Sequence, residues 1–319
     1  MSLSLKTVDL FCGCGGMSLG FLRAGYDLVA AVDSWDAALA VHGGNLPTPV
    51  TCLDLSDVDA AVEFLRPLDA DVIIGGPPCQ DFSIAGKRDE NGGRASLTLS
   101  FADIVTTLEP KCFVMENVYN ATRFVTYLAG LDRLRDAGYG VTMKVMDASR
   151  MGVPQARKRC FAIGILGESQ NSLANELDEH LSATQMTVRE YMGDAIDFDH
   201  YFVMPRSYAR RGIFSVDMPA STIRGMSRPM PDTYVRHPRD TCEPALAHTL
   251  TPVERSYLQT FPSWYSWPAG KAAVDQMVGN AVPPNMAEYV ARVLRSHLDG
   301  GDVGSLTDHT FVGDAMPLA

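Results

Sequence analysis

The sequence predicts an α/β protein built on a doubly wound, mostly parallel sheet. Three observations carry that reading. Over the first 165 residues, short apolar runs alternate with stretches whose apolar residues recur every three or four positions, the pattern of strand and crossover helix that builds parallel sheets. The first run ends in a glycine-rich turn, Cys12-Gly13-Cys14-Gly15-Gly16. The fourth ends in a stiff corner, Gly75-Gly76-Pro77-Pro78.

Strands are expected near 6–11, 27–33, 49–52, 71–75, 111–116, 140–146 and 158–165, with helices over 17–24, 37–42, 58–65, 97–108 and 124–137. The first turn has glycines where a backbone must bend tightly and let a ligand lie against it. It departs from the dinucleotide fingerprint, because Gly13-x-Gly15 is followed by Ser18 where a third glycine would stand. Asp33 ends the second strand 20 positions after Gly13, suited to accept from ribose hydroxyls, and Asp54 ends the third. Together they indicate a nucleoside cofactor. The fourth strand delivers Cys79 directly after two prolines, which fix φ and remove two backbone donors, so the thiol is mounted with little freedom left. Ligands of such sheets bind outside the carboxyl ends of the strands, which places Cys79 and the glycine turn on one crevice. A last helical stretch, 285–298, has to pack beside the first strand. Both chain ends then build one domain, and the middle is an insertion.

Bulk properties narrow the function. At 319 residues and 46% hydrophobic, the chain has room for one large core and a smaller second domain. No run approaches 18 apolar residues, and the N-terminal residues enter a strand without a charged leader region, so a cytoplasmic protein is expected. Seven scattered cysteines without a CxxC pair or histidine cluster favour reduced thiols and no metal. A net charge of −11 argues against indiscriminate nucleic-acid binding. Yet between Arg206 and Arg239 seven arginines stand against only Asp217 and Asp232, interleaved with Tyr208, Phe214 and Tyr234. Arginine's planar fork suits guanine edges and phosphates. His237 and His248 lack cysteine partners and read as loop or capping residues.

Five motifs then stand in one order: Asp9-Leu10-Phe11-Cys12-Gly13-Cys14-Gly15-Gly16, Pro77-Pro78-Cys79-Gln80, Glu116-Asn117-Val118, Gln155-Ala156-Arg157-Lys158-Arg159 and Gly279-Asn280-Ala281-Val282-Pro283. In that order the chain resembles the DNA cytosine-5 methyltransferases of prokaryotes and phages, almost end to end. The resemblance implies a Rossmann-like catalytic domain of 1–186 plus 272–319 and a target-recognition domain of 187–271. S-adenosylmethionine is the implied cofactor, S-adenosylhomocysteine its product, and double-stranded DNA the partner. It further implies a monomer with a restriction-modification or orphan DNA-marking role, where a cognate endonuclease would act on the same site without forming a complex.

Roles follow from the same resemblance. Carbon 5 of cytosine attacks a methyl sulfonium only after a thiolate has added to C6, the part implied for Cys79. Glu116 is implied at N3 and Arg159 at O2, with Arg157 beside them. Phe11 is implied to pack on the adenine, Gly13, Gly15 and Gly16 to face the methionine portion, Asp33 to hold the ribose and Asp54 the adenine amine. Ser34, Trp35, Leu55, Pro78, Leu97, Asn280 and Val282 complete that pocket. The chain departs from the commoner pattern by having Asp33-Ser34-Trp35 where a glutamate and an apolar residue are usual. The target base must leave the duplex stack, so the glycine-containing stretch 80–96 is expected to close over it, with Gln80, Ser83, Lys87, Arg88 and Arg94 toward the DNA. In the recognition region Arg206, Arg210, Arg211, Arg224 and Arg228 are the expected contacts, and its small size suggests a target of about four base pairs. Rival readings are a tRNA cytosine-5 methyltransferase, a catalytically silent DNA-binding homologue and a nicotinamide-dependent oxidoreductase. Phe82-Ser83, the intact Cys79, Glu116 and Arg159, and the missing third glycine respectively disfavour them.

Overall fold

The computed structural model describes residues 4–78, 97–205, 207 and 210–301. Cys79, Gln80, Ser83, Lys87, Arg88, Arg94 and Arg206 lie outside the described residues, as does Tyr208.

Chain order gives strands β1 (Lys6–Leu10), β2 (Asp27–Asp33), β3 (Val50–Cys52), β4 (Val72–Gly75), β5 (Cys112–Val118), β6 (Tyr139–Asp147), β7 (Gln155–Ala156) and β8 (Lys158–Leu166). Seven of them form one sheet in the order β3-β2-β1-β4-β5-β8-β6. Every neighbour from β3 to β5 is parallel, while β8 runs antiparallel to both β5 and β6. That reversal has a functional result. The start of β8 lies beside the carboxyl end of β5, with Arg159 opposite Val118. Strand order also changes direction between β1 and β4, the place where such sheets open a crevice.

Helices α1 (Gly16–Arg23), α2 (Asp36–Asn45), α3 (Val58–Leu65), α4 (Leu97–Leu108) and α5 (Val125–Asp136) follow successive strands. Phe101, Ile104, Tyr127, Leu131 and Leu134 of α4 and α5 share one apolar cluster with Phe113 and Val141 of the sheet. A second cluster brings Phe21 of α1 together with the last helix, Pro284–Asp299. That helix buries Met286, Tyr289, Val290, Val293 and Leu294 completely, the spacing of a single helical stripe. Each such burial contributes about 1.5–3 kcal/mol. Pro284 opens it and Gly300, at φ 62°, ends it. Gly20 makes the close helix pair feasible, since a Cβ there would stand 2.5 Å from Ala287 Cβ and 2.6 Å from the Glu288 nitrogen.

Between β8 and that helix come α6 (Glu176–Glu179), α7 (Val188–Met192), α8 (Pro252–Leu258) and α9 (Lys271–Asn280), which makes the last helix α10. Capping boxes, Thr187 with Glu190 and Thr251 with Glu254, start α7 and α8. A small sheet holds β9 (His200–Phe202), β10 (Ile213–Ser215) and β12 (His248–Thr249), whereas β11 (Ala220–Ser221) pairs with β7. Tyr201, Val216, Ile223, Leu250 and Leu258 form the core of this region, joined by Val274 and Val278 of α9. Among the elements that differ from expectation are α2 and α9. α2 continues through Gly43-Gly44 to Asn45, whose amide donates to the Val41 carbonyl (2.7 Å) and to the Ser266 carbonyl (2.8 Å). α9 was not anticipated, because its buried face includes the charged Asp275, which pairs with Arg255.

Among the described residues no helix is long and apolar enough to cross a membrane. No group of three His, Cys, Asp or Glu among them is arranged to hold a metal ion.

Candidate active site

A cavity of about 520 Å³ opens at the carboxyl ends of β1, β2, β4 and β5. This is the size of a small-molecule site. From the first turn come Asp9, Phe11, Gly13 and Gly16, and from the ends of β2 and β3 come Asp33, Ser34, Trp35, Asp54 and Leu55. Pro77, Pro78 and Leu97 form another side, while Asn280 and Val282 close it from the far end of the chain. Every expected cofactor residue except Gly15 lines this space. Gly15 instead turns the chain at φ 89° behind the wall, where a Cβ would meet His42, Leu46 and Tyr265 at 2.8–2.9 Å.

Asp33 organises the turn. Its Oδ2 accepts from the Gly13 N–H (2.8 Å) and its Oδ1 from the Trp35 N–H (2.9 Å), so the two loops that face the cavity share one carboxylate. Asp54 Oδ1 accepts from the Ser56 N–H (2.9 Å) and remains exposed.

Opposite stands Glu116, 9% exposed, near the end of β5. Arg159 Nε lies 2.8 Å from Glu116 Oε1, and both side chains line the cavity. Burial pushes the Glu116 carboxyl above its ordinary range, while the Arg159 and Arg157 guanidinium groups pull it back. Such a group can donate or accept a hydrogen bond to a bound base. Asn117, next along, donates from Nδ2 to the Pro77 carbonyl (3.1 Å) and so ties the Pro-Pro corner to β5. Motif reading had assigned Asn117 no part.

Arg157 stands away from the place expected for it. It does not line the cavity but is fully buried, donating to the carbonyls of Ile223 (2.9 Å), Gly279 (3.0 Å) and Ala281 (3.1 Å). The strand breaks at Arg157, between β7 and β8, so the period of two that would align it with Arg159 is lost. Arg224, expected to face DNA, is half-buried with its guanidinium on the Met204 carbonyl. Arg210 and Arg228 are exposed, and Arg211 lies 4.3 Å over the Phe214 ring. Arg210, Arg211 and Arg239 border an open notch with His237.

Three residues to which the motifs assign no role sit beneath the turn. Ser18 Oγ donates to Asp9 Oδ2 (2.5 Å), and His42 Nε2 is 2.9 Å from Ser18 Oγ. All three are buried, and Asp9 Oδ1 and His42 Nδ1 have no protein partner. A single acid within an apolar strand was the one available signal.

With this geometry in view, the sequence matches the family described as C-5 cytosine-specific DNA methylase over residues 5–296. The chain belongs to that family. It is 48% identical over 295 residues to the type II methyltransferase M.HgiDI of Herpetosiphon aurantiacus, covering 92% of this chain and 96% of that protein. It is 45% identical to the type II methyltransferase M.HindV of Haemophilus influenzae, covering 91% and 96%. Among solved structures, the S. pombe Dnmt2 methyltransferase superposes with a TM-score of 0.71 at 16% identity, over 92% of this chain and 99% of that one. A putative DNA modification methyltransferase of an E. coli prophage gives 0.66 at 24% identity, over 93% and 100%. These two likenesses speak to the fold of this C-5 methylase family member, a Rossmann-like α/β sheet.

Proposed function

We propose that this C-5 methylase transfers a methyl group from S-adenosylmethionine to carbon 5 of a cytosine flipped out of a short site in duplex DNA. The observation that carries the reading is the Glu116–Arg159 pair facing the glycine-turn cavity directly behind the Pro77-Pro78 corner that precedes Cys79. Two near-full-length relatives, M.HgiDI and M.HindV, are type II methyltransferases, which supports a restriction-modification setting.

The cavity fits the cofactor on its own terms. Its wall carries an unpartnered buried carboxylate oxygen on Asp9, the complement of an ammonium group, and Asp33 and Asp54 at strand ends for hydroxyl and amine groups. Bound there, S-adenosylmethionine supplies an electrophilic methyl group. Cys79 adds to C6 as the thiolate, which makes C5 nucleophilic. Glu116 hydrogen-bonds N3 as negative charge develops on the ring, and Arg159 holds O2 while keeping Glu116 oriented. After transfer, C5 loses its proton, the ring electrons re-form the C5–C6 double bond, and the thiolate of Cys79 leaves. Arg157 acts at one remove, as a positioning residue between the recognition segment at Ile223 and the cavity wall at Gly279 and Ala281. Of the arginines expected at the DNA, Arg210, Arg211 and Arg228 are described and remain for that role. The enzyme works as a cytoplasmic monomer, and any partner endonuclease acts separately on the same site.

Purified protein with tritiated S-adenosylmethionine tests this against unmethylated phage DNA and bulk tRNA, beside Cys79→Ser. Label at one short recurring DNA motif by bisulfite sequencing, absent in the variant, is the expected result. Label in tRNA alone would move the protein to the RNA branch.

A further inference from the structure

Resting on the DNA reading above, we propose that Asp240 is a positioning residue of the recognition region, whose buried carboxylate gathers Arg210, Arg211 and Arg239 into one notch that takes a phosphodiester group of the DNA backbone.

Asp240 is 6% exposed, and its hydrogen bonds join two stretches of chain. Oδ1 accepts from the N–H groups of Gly212 (3.1 Å) and Ile213 (3.0 Å), where the chain enters β10. Oδ2 accepts from the His237 N–H (2.7 Å) and the Tyr234 hydroxyl (2.8 Å). A carboxylate offers about four such sites, so this one is saturated by the protein. The Tyr234 oxygen in turn accepts from the Gly212 N–H (3.0 Å), and the Asp240 N–H donates to the His237 carbonyl (2.9 Å), which closes the clamp. Burial works against the charge on Asp240, yet the hydrogen bonds outweigh it and hold the carboxyl below its ordinary range. Position 212 requires glycine, because a Cβ there would stand 2.8 Å from both the Phe202 ring and the Tyr234 oxygen.

The residues next to the clamped ones carry the positive charge. Arg210 and Arg211 directly precede Gly212, Arg239 directly precedes Asp240, and all three border the open notch with His237 and Pro238. Arg211 is further fixed by Phe214, its Cζ 4.3 Å over the ring. His237 Nδ1 accepts from the Arg239 N–H (3.1 Å), which leaves Nε2–H as another donor. Arg236 is taken out of the group by Glu243, at 2.6 Å. Among the described residues no carboxylate pairs with Arg210, Arg211 or Arg239, so three like charges converge in a chain of net charge −11. An anion with several acceptor oxygens relieves that repulsion. The notch is open rather than enclosed, which suits a strand passing over the surface.

The test is equilibrium binding of a labelled random-sequence DNA duplex to the whole protein, with S-adenosylhomocysteine present, as a function of salt. Arg239→Gln is expected to weaken binding several-fold and to flatten the slope of log K against log salt by about 0.9. Arg66→Gln, which removes the same charge at the amino end of β4, is expected to move neither. Asp240→Asn separates a clamp from simple charge. It removes a negative charge beside the notch, so Coulomb attraction alone would tighten DNA binding. Loss of the clamp is expected to weaken binding about tenfold instead, because the amide nitrogen cannot accept from Tyr234 and His237. Tyr234→Phe carries the same test in milder form, with weakening of about threefold, and both variants should keep the S-adenosylhomocysteine affinity of the wild type. DNA binding as tight as wild type in these two variants would overturn the positioning role. An equal loss of S-adenosylhomocysteine affinity would do the same, making Asp240 a general packing residue. A changed methylation motif in Arg239→Gln with the salt slope unaltered would make the notch a reader of bases and overturn the phosphate assignment. Failure of the wild-type protein to bind duplex DNA would overturn the functional reading and this assignment with it.

Discussion

Arg159 and Glu116 meet across two antiparallel strands, Nε to Oε1 at 2.8 Å, although they lie 43 positions apart in the chain. The pairing exists because β8 enters the sheet backwards, so its first residues lie beside the carboxyl end of β5. Replacing the acid tests its role. Glu116→Gln keeps shape and one donor but cannot supply a proton, and single-turnover methylation should fall about 10²-fold or more, with S-adenosylhomocysteine affinity within about threefold of wild type. An equal loss of cofactor affinity would count against a role confined to the base.

Asp9 makes the ligand-free protein sensitive to pH. Its folded-state pKa is pushed up from 3.8 to about 7, so the contribution of its neutral form is complete below about pH 4 and is lost as pH rises through 7. The shift corresponds to about 4 kcal/mol at full ionisation. Urea unfolding at pH 5 and pH 8 should show a decline in the wild type that Asp9→Asn lacks. A decline of the same size in both proteins would assign it to other groups.

Arg157 should matter for stability before it matters for chemistry. Arg157→Ala leaves the carbonyls of Ile223 and Gly279 without a donor, and that of Ala281 with only the Gln259 amide at 3.3 Å, at about 1–3 kcal/mol for each unmatched acceptor when water cannot reach it. The expected outcome is a drop of several degrees in Tm, with Arg157→Lys intermediate. A variant as stable as wild type would show that the three acceptors find other donors.

Gly20→Ala should destabilise by about 1–3 kcal/mol, because the added Cβ would lie 2.5–2.6 Å from Ala287, the Glu288 nitrogen and the Pro284 carbonyl. The contacts include backbone, which cannot rotate aside. Denaturant midpoints at constant m-value give the number directly.

Asn117→Leu removes the donor to the Pro77 carbonyl that ties the corner before Cys79 to β5. Slower methyl transfer with little change in S-adenosylhomocysteine binding is the expected pattern. Loss of binding alone would place its effect on the cofactor side.

What could be read without coordinates was whatever the chain encodes locally. Alternating runs and crossover helices announced the sheet, and the 20-residue interval from Gly13 to Asp33 marked two residues that do join in a hydrogen bond. Three kinds of information were hidden. Asp9, Ser18 and His42 belong to β1, α1 and α2 and come together only in the folded chain, with the single acid in an apolar strand as the one hint. Arg157 and Arg159 look equivalent in a string, but the strand break between β7 and β8 sends one into the core and the other into the cavity. Glycines 43 and 44 read as a stop, whereas Asn45 and the packing of α2 on the strands carry the helix past them.

The cavity wall draws on the first turn and on α9 and its exit, and Tyr265 reaches back to the Cys14 carbonyl across 251 positions. During synthesis the glycine turn leaves the ribosome early, and its opposite wall follows only after the whole recognition region has been translated. The nascent chain therefore has no finished place to hold a cofactor until nearly its last helix has emerged. A message truncated before Gly279 would yield a sheet with half a pocket, unable to modify DNA however well its early strands had paired.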